Sequence, residues 1–453
     1  MSPTLSPMRD LHPIFKAYDV RGRTDTGDLD EDAARRIGAA FGRFADSSQV
    51  ALGRDARVSS PGLADAFSEG VTGQGVDVLD IGQVATDTLY FISGDRDIPG
   101  AMITASHNPP VWNGIKFCRR GAAPIGAESG LFEIRDLAEQ GVDPAETRGS
   151  VESFDPIPGY IDHLLSIVDP TRIGSLRVAA DAGNGMAGVA LPGVFARLDA
   201  ELIPLFLEPD GRFPNHPADP LQPENLRDLE AVMRAQHPDL GVAFDGDADR
   251  AFFIDERSQP LSGSTTTALI ATWFLRREPG AKIVHNLIVS RAVAEAIRAG
   301  GGTPVRTRVG HSFIKQIMAD TGAVFGGEHS GHYYFRDNYR ADSGTLAMLV
   351  LLQVLSEDGR PLSEIRKDFE PYVASGEINL HVDDQQDTIE RVAATFEDAT
   401  QSRMDGLTVE WPDRWFNLRP SNTEPVLRLN AEAGDETAVE DLVATVRSIV
   451  KGN

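Results

Sequence analysis

Three aspartates that alternate along one short segment are the residues best suited to chemistry. In FDGDADRAFFID, residues 244–255, they are Asp245, Asp247 and Asp249. Extended or loop backbone points residues i, i+2 and i+4 to one side, where three carboxylates repel one another unless a cation lies among them. Hard oxygen ligands favour Mg²⁺ or Ca²⁺. The segment therefore predicts a divalent-cation site, and the alternative is a plain Asp-rich turn.

An EF-hand calcium loop is a further possibility, because Glu256 stands at its twelfth position. The sixth position, where that loop needs glycine, is Arg250, and residues 251–254 form an apolar, strand-like run. The EF-hand is therefore rejected. Three carboxylates leave Mg²⁺ room for water or a phosphate oxygen, the usual arrangement in phosphoryl transfer.

Ser106 lies in ITASHNPPVWNGIKF, residues 103–117, and is followed directly by His107 and Asn108. A serine in such a stretch usually caps a helix or ends a turn, and the stretch alone does not decide between that role and chemistry. Cys118, the single cysteine, continues the apolar run and is interpreted as a small core residue, not as a nucleophile.

Two further motifs are suited to ligand binding, one to a polyhydroxy ligand and the other to a phosphate. GGEHSGHYYF offers a carboxylate, a hydroxyl and an imidazole at two-residue spacing, which suits a polyhydroxy ligand, although a polar Gly-rich turn explains it equally well. LRPSNTEPVLRL offers small polar residues and arginines, which predict a phosphate cradle, with a turn before proline as the alternative. These candidates are Glu328, Ser330 and His332 in the first motif, and Arg419, Ser421, Asn422, Thr423 and Arg428 in the second.

Weaker candidates stand in AYDVRG, with Tyr18 and Arg21, and in RVGHSFIK, with His311 and Lys315. Each of them can equally be an ordinary surface or core residue. DAGNGMAG lacks both G-x-G-x-x-G and the P-loop lysine, so it is interpreted as a tight strand-to-helix turn.

The elements that position these residues alternate between strand and helix. Such alternation predicts mostly parallel sheets covered by helices. The chain has 453 residues, and its pattern changes near residue 370. We therefore predict an α/β protein with three successive mixed α/β domains and a smaller C-terminal α+β domain around a central cleft, with limits at 1–155, 156–256, 257–370 and 371–453.

Net charge and composition exclude several classes of protein. The net charge of −25 argues against nucleic-acid binding, and it requires that positive charge be concentrated in a cleft if the ligand is an anion. No apolar run approaches the ~20 residues that span a membrane, and the first residues do not resemble a signal peptide. One cysteine excludes an intrachain disulfide, and we expect a cytoplasmic protein without membrane or nucleic-acid partners.

Taken together, the motifs resemble the α-D-phosphohexomutases, and within them the phosphomannomutase/phosphoglucomutase branch. Four motifs carry the resemblance, one in each predicted domain and in the family's order: TASHNP with NGIK, DGDADR, GEHSGH and RPSNTEP. The resemblance covers essentially the whole chain, and four such motifs in order are very specific.

The resemblance implies a role for each candidate. Ser106 would be the phosphoserine, and one of its phosphoryl oxygens would complete a site for one Mg²⁺ with Asp245, Asp247 and Asp249. The remaining candidates would act in three groups: Glu328, Ser330 and His332 on sugar hydroxyls; Arg419, Ser421, Asn422, Thr423 and Arg428 on the distal phosphate; and Arg21, His107, Lys116, Arg250 and His311 at the reacting end, with Tyr18 as a further substrate contact.

The implied reaction is an exchange of phosphate between the two ends of a hexose. Phospho-Ser106 gives its phosphoryl group to a hexose 1- or 6-phosphate, and the bisphosphate turns end over end and returns its other phosphate. Hexose 1,6-bisphosphate would be the activator, sugar phosphates the small-molecule partners, and a monomer or weak homodimer the assembly.

One departure and three alternatives accompany this interpretation. Some members carry a substrate-contacting lysine on a strand of the third domain, but the corresponding run here, VHNLIVS, has none, which leaves Arg291 or Lys282 as substitutes. The alternatives are a phosphoglucosamine mutase, a non-catalytic sugar-phosphate sensor and a phosphatase. The HSGHYYF segment favours the mannose/glucose branch over the first, and the intact Ser106, aspartates and Lys116 argue against the second.

Overall fold

The structure contains four sheets that follow one another along the chain. It is a computed structural model that describes residues 9–421 and 426–451, and the side chain of His311 lies outside the described part. The first three sheets combine parallel and antiparallel strands, and the fourth is antiparallel. The predicted α/β class with a C-terminal α+β domain is therefore confirmed, whereas the domain limits remain predictions.

The first domain has six strands in the order β1-β5-β4-β2-β3-β6. β5 runs antiparallel to both of its neighbours, and the other pairings are parallel. The elements are β1 Val20–Arg23, α1 Glu31–Phe44, β2 Gln49–Arg54, α2 Ser60–Gly73, β3 Asp77–Gln83, α3 Thr86–Arg96, β4 Gly100–Ile103, β5 Trp112–Cys118, α4 Leu131–Gln140 and β6 Val151–Ser153. The loop between β4 and β5 contains Ser106, and the single cysteine lies buried at the end of β5.

The second domain has four strands in the order β10-β9-β7-β8. Its elements are α5 Ile157–Ile167, β7 Arg177–Asp181, α6 Ala187–Phe195, β8 Glu201–Leu205, α7 Arg227–Gln236, β9 Leu240–Phe244 and β10 Ala251–Asp255. β9 and β10 form an antiparallel pair, and the three aspartates lie in the turn that joins them.

The third domain repeats that arrangement with the order β14-β13-β11-β12. Its elements are α8 Gly263–Arg277, β11 Lys282–Asn286, α9 Arg291–Ala299, β12 Thr303–Thr307, α10 His311–Thr321, β13 Phe325–Gly327, β14 Tyr333–Phe335, α11 Gly344–Asp358 and α12 Leu362–Ile365. The antiparallel pair here is β13 with β14, and its connecting turn contains Glu328, Ser330 and His332.

The fourth domain has the strand order β15-β19-β18-β17-β16, with all pairs antiparallel. Its elements are β15 Val373–His381, α13 Gln385–Thr395, β16 Thr400–Ser402, β17 Leu407–Glu410, β18 Arg414–Pro420, β19 Val426–Ala433 and α14 Glu436–Lys451. One face of the sheet packs its alternate apolar residues against the two helices in a separate core.

The first three domains share one hydrophobic core, which makes them a common platform. Met102, Tyr160, Leu191, Phe274 and Leu349 belong to this single buried cluster although they come from three domains. α11 is apolar on all sides, as expected for a helix that is buried on all sides. Within the described residues, no helix combines the length and apolar character that crossing a membrane requires.

The same strand-loop-strand unit therefore presents the polar motifs of all three platform domains. In each, an inner strand that is parallel to its neighbour is followed by an antiparallel partner, as in β4–β5, β9–β10 and β13–β14. The connecting loops begin at the carboxyl ends of strands, the edge at which open α/β sheets bind ligands.

Candidate active site

Ser106 contacts the metal-binding candidate Asp245 directly. Its Oγ donates a hydrogen bond of 2.7 Å to Oδ2 of Asp245 and lies 3.1 Å from Nδ1 of His107. The Ser106 backbone has φ of 49°, a left-handed conformation that is uncommon outside glycine, and its N–H donates to Oγ1 of Thr104. Such strained positions persist where the surroundings hold them, and they cluster at functional sites.

Arg57 holds the Ser106 loop in place, a role that no sequence motif indicates. The side chain is 1% exposed, and its Nε donates to Asp55 at 3.0 Å. Its two terminal nitrogens donate to four carbonyl oxygens of the loop, those of Ser106, Asn108, Pro109 and Trp112. In the sequence, Arg57 is part of the polar segment GRDAR at the end of β2. This segment does not predict a contact with a loop that lies about fifty residues away.

The three aspartates form one buried cluster. Their carboxylate oxygens lie within 4.8 Å of one another. Gly246 permits the close approach to the serine loop, because a Cβ at this position would lie 2.4 Å from the carbonyl oxygen of Ser106. Ala248 turns the loop with φ of 62°, so the three side chains converge through a turn and not along a strand.

The donor set fits a divalent cation. Oδ1 of Asp247 and Oδ1 of Asp249 are buried and have no hydrogen-bond partner among the described residues. Burial of an unsatisfied carboxylate oxygen is costly, and a hard cation satisfies such oxygens. The other oxygens of these two groups accept hydrogen bonds from Nζ of Lys116 at 2.7 and 2.5 Å, and Thr86 also donates to Asp247.

The pKa values of Asp245 and Asp247 reflect their burial and the charged groups beside them. Burial raises the pKa of Asp245 to about 8, and the neighbouring Asp249 and Asp247 add to the rise while Arg250 opposes it. Burial also acts to raise the pKa of Asp247, but the adjacent Lys116 outweighs it and holds the value below its ordinary range. A bound cation would favour the ionised form of all three carboxylates.

Basic side chains surround the cluster despite the acidic composition of the chain. Nε of Arg250 donates to Asp245 at 2.9 Å, and its buried Nη2 has no partner among the described residues. Arg21 is held by Asp19 at 2.8 Å and reaches Oδ1 of Asn108 at 3.4 Å. Burial, together with Arg250 and Arg21, lowers the pKa of His107 well below its ordinary value.

Glu328 is the most firmly held residue of the third-domain loop. Its Oε2 accepts from the hydroxyl of Tyr334 at 2.7 Å, and its Oε1 accepts from Asn286 and from the N–H of Gly310. Ser330 and His332 contact each other at 2.9 Å. Nε2 of His332 lies 3.6 Å from Oδ1 of Asp249, so the third-domain loop adjoins the aspartate cluster.

The fourth-domain candidates are described in part. Arg419 on β18 and Arg428 on β19 are register partners, and Ser421 begins the connecting loop. Asn422 and Thr423 lie outside the described residues. Among the remaining candidates, Tyr18 packs edge-on against Phe313, near the backbone of Gly310; His311 begins α10, and its side chain is not described.

The two basic residues considered as substitutes for the missing lysine are both engaged elsewhere. Arg291 donates to the carbonyl oxygens of Trp411 at 2.9 Å and Pro412 at 2.7 Å, which joins the third domain to the fourth. Nζ of Lys282 donates to the carbonyl oxygen of Thr321. Lys315 is buried against Asp342 and the ring of Tyr90, as a core residue.

The arrangement combines a hydroxyl, three carboxylates of which two have an unpartnered oxygen among the described residues, and a lysine and two arginines. Positively charged groups that are fixed before the reaction stabilise the charge of a transferred phosphoryl group, especially where water is excluded. The site is therefore chemically suited to phosphoryl transfer.

Comparisons with known families agree with this assignment along the whole chain. Four phosphoglucomutase/phosphomannomutase profiles match in order: alpha/beta/alpha domain I over residues 12–143, domain II over 158–259, domain III over 262–372 and the C-terminal domain over 377–449.

Similar proteins of established name include phosphohexose mutases of Xanthomonas campestris pv. campestris, 40% identical over 97% of this chain and 99% of theirs. The phosphomannomutase of Salmonella typhimurium LT2 is 40% identical over 96% of this chain and 98% of its own. A crystal structure of a phosphoglucomutase/phosphomannomutase family protein from Burkholderia thailandensis has a TM-score of 0.88 at 35% identity and covers 98% of both chains. The resemblance inferred from the four motifs is thus confirmed, and the chain belongs to the phosphoglucomutase/phosphomannomutase family.

Proposed function

We propose that this protein interconverts hexose 1-phosphate and hexose 6-phosphate, with mannose and/or glucose as the hexose, through a phosphoserine at Ser106. The hydrogen bond of 2.7 Å between Ser106 and Asp245 carries the proposal, because it joins a candidate nucleophile to the candidate metal site. The names of relatives that are 40% identical over nearly the whole chain support the same activity.

The chemistry consists of two phosphoryl transfers. In the first, the bond between Oγ of Ser106 and phosphorus breaks and that oxygen takes up a proton, while a sugar hydroxyl oxygen bonds to the phosphorus and loses its proton. In the second, Oγ of Ser106 loses its proton as it bonds to the other phosphorus of the hexose 1,6-bisphosphate, and the sugar oxygen left behind gains a proton. The two transfers balance, so isomerisation needs no net phosphate and no net proton.

Mg²⁺ is the cation that we propose for the aspartates, one ion per chain, because hard oxygen ligands and phosphoryl transfer both favour it. When bound, it would neutralise charge on the transferred phosphoryl group. Lys116, Arg250 and Arg21 add positive charge at the same place, and Arg57 fixes the backbone that carries Ser106. His107 and His311 complete the proposed reacting end.

Both ends of the sugar must reach Ser106 in turn, so the rest of the site has to accept two orientations. We assign Glu328, Ser330 and His332 to the sugar hydroxyls, and Tyr18 as a further substrate contact. The distal phosphate is assigned to the RPSNTEP loop with its flanking strands, namely Arg419, Ser421, Asn422, Thr423 and Arg428. These hydroxyl and phosphate contacts would therefore have to form with the sugar in either orientation.

The location, assembly, activator and partners of the enzyme can also be proposed. We propose a cytoplasmic protein that is a monomer or weak homodimer, uses hexose 1,6-bisphosphate as activator and acts on small sugar phosphates alone. The net charge of −25 supports the absence of a nucleic-acid partner.

One assay distinguishes this proposal from its rivals. Glucose 1-phosphate or mannose 1-phosphate is supplied with Mg²⁺ and a catalytic amount of hexose 1,6-bisphosphate, and both the 6-phosphate product and free phosphate are measured. A mutase forms product without free phosphate. Stoichiometric phosphate release would indicate a phosphatase, binding without turnover would indicate a sensor, and preferred conversion of glucosamine 1-phosphate would indicate a phosphoglucosamine mutase.

A further inference from the structure

The face of the fourth-domain sheet that lies opposite its helices is polar. Along β18 and β19 the side chains alternate, so Leu418 and Leu429 enter the core while Arg419 and Arg428 point to the other face. Arg419 is 6% exposed, so this arginine is both charged and nearly buried. Such a charge needs partners, because burying it unpaired is costly.

The two arginines stand directly opposite each other in the register of β18 and β19. Like charges in directly opposite positions destabilise a sheet and push the side chains apart. If both arginines are to bind one phosphate, their guanidinium groups instead have to lie side by side. Something other than the strand pairing must hold them together.

Glu377 on β15 bridges the two guanidinium groups. Its Oε2 lies 2.9 Å from Nη2 of Arg419, and its Oε1 lies 3.2 Å from Nη1 of Arg428. The β15–β19 pairing is irregular between Ala374 and Glu377, and Gly376 in this irregularity has φ of 68°. Such irregularities redirect a side chain, which here brings the Glu377 carboxylate to the arginines.

The bridge leaves the arginines able to bind a phosphate. A guanidinium has five N–H donors, and Glu377 uses one nitrogen of each arginine. The buried Nε of each arginine has no hydrogen-bond partner among the described residues. Glu377 can therefore stay in place while a phosphate dianion binds, and the two positive charges still exceed its single negative charge.

We propose that Glu377 is a positioning residue that holds Arg419 and Arg428 side by side for the non-reacting phosphate of the substrate. This inference rests on the proposed mutase function. Glu377 does not touch the reacting atoms and acts only through the two arginines. The opposite hypothesis is that Glu377 competes with the phosphate, and the two hypotheses predict opposite changes in affinity when the carboxylate is removed.

The test compares Glu377→Gln and Glu377→Asp with a matched control, Glu390→Gln. Glu390 pairs with Arg403 at 2.8 Å on the same domain, and both side chains are exposed. We expect Glu377→Gln to raise KM for the hexose 1-phosphate at least fivefold while kcat changes less than threefold. Glu377→Asp keeps the charge but shortens the reach, so it should raise KM by an intermediate factor, and Glu390→Gln should match the wild type.

A binding measurement makes the result independent of turnover. Hexose 6-phosphate is titrated calorimetrically into Ser106→Ala protein with and without Glu377→Gln, and the Kd should rise at least fivefold with the second change. Adding Arg428→Ala should remove most of that difference, because Glu377 acts through the arginines. Thermal unfolding checks that each variant is folded.

An unchanged or lower KM and Kd in folded Glu377→Gln protein would overturn the inference. It would also be overturned if Glu377→Gln raised the Kd by the same factor in protein with Arg428 and in protein with Arg428→Ala. If the wild type neither binds nor converts hexose phosphates, the proposed function itself fails. Active wild type with a neutral Glu377→Gln change refutes the positioning role alone.

Discussion

The Oγ atom of Ser106 lies 2.7 Å from Oδ2 of Asp245, although the two residues are 139 positions apart and belong to different sheets. Two turns that follow equivalent strands meet there, and Gly246 allows the contact because it has no side chain to separate the backbones. The candidate nucleophile and the candidate metal site therefore depend on the packing of the first domain against the second, which a shared hydrophobic core stabilises.

Replacement of the proposed nucleophile tests this relationship most directly. Ser106→Ala should fold normally and lose at least about a thousandfold in rate, because a covalent step is removed. Intact-mass analysis of active wild-type protein should show one phosphate that is absent from the variant. Near-wild-type turnover in the variant would refute the assignment of Ser106.

The metal requirement should reside in the aspartate cluster. Chelation should stop turnover, and Asp247→Asn should weaken Mg²⁺ binding by at least tenfold, because a neutral amide replaces a charged oxygen ligand. Mg²⁺ titration of activity and calorimetry on the apoprotein give both values. Asp228→Asn, an exposed acid on α7, is the control. Full activity in excess chelator would mean that the cluster is only a turn.

Arg57 should control the stability of the serine loop. Arg57→Lys keeps the positive charge, but a single ammonium has three donors and cannot reproduce the fork that reaches four carbonyl oxygens. We expect a loss of about 2–4 kcal/mol in the free energy of unfolding, because buried hydrogen bonds to a charged group are removed, and at least a tenfold loss of kcat.

Arg54→Lys is the matched control for this change, since Arg54 lies in the same segment and makes one partly exposed ion pair with Asp80. Chemical denaturation and steady-state kinetics on both variants separate the two positions. Equal, small effects at Arg54 and Arg57 would show that the four carbonyl contacts do not position the loop.

Whether a feature can be predicted from the sequence depends on how far apart in the chain the interacting residues lie. The convergence of Asp245, Asp247 and Asp249 could be predicted because their spacing is local, and the alternation of strands and helices predicted the fold class correctly. Arg57, Thr86 and Tyr334 were missed because each acts through a contact whose partner only the tertiary structure shows: Arg57 reaches a loop 49 or more positions away, and Thr86 reaches Asp247 across 161 positions. Tyr334 lies six positions from its partner Glu328, but no sequence pattern predicts that its hydroxyl reaches that carboxylate.

Substrate specificity should be broad at C2 of the hexose. Mannose and glucose differ only in configuration there, and we propose that Glu328, Ser330 and His332 contact the O3 and O4 side of the ring. Strong rejection of a ligand requires a buried polar group that the wrong ligand leaves unpaired. Mannose 1-phosphate and glucose 1-phosphate should therefore have kcat/KM values within about a hundredfold, or under roughly 3 kcal/mol.

Steady-state kinetics on both sugars, with glucosamine 1-phosphate as a third substrate, checks this expectation. A preference above about ten-thousandfold between mannose and glucose would show that a residue outside the assigned set contacts C2.

A buried histidine should make stability depend on pH. His285 on β11 is 6% exposed, and its Nδ1–H donates to the carbonyl oxygen of Asn286 at 2.9 Å. Burial, with a smaller contribution from Arg306 and Arg298, lowers the pKa of His285 to about 4 although the Asn286 contact opposes it. The folded protein therefore keeps His285 neutral at a pH where the unfolded chain, with a pKa of about 6.5, binds a proton.

The sign follows from proton binding, since stability rises with pH wherever the unfolded state holds more protons. The contribution of neutral His285 is fully present above about pH 6.5 and is lost as the pH falls toward 4, by about 3 kcal/mol in total. His285→Gln should remove this part of the pH dependence, so the free energy of unfolding of the variant should fall less between pH 7 and pH 5 than that of the wild type. Urea unfolding at both pH values measures it, and His381→Gln, at an exposed position on β15, is the control. Parallel pH profiles for wild type and His285→Gln would show that His285 takes up its proton without cost to the fold.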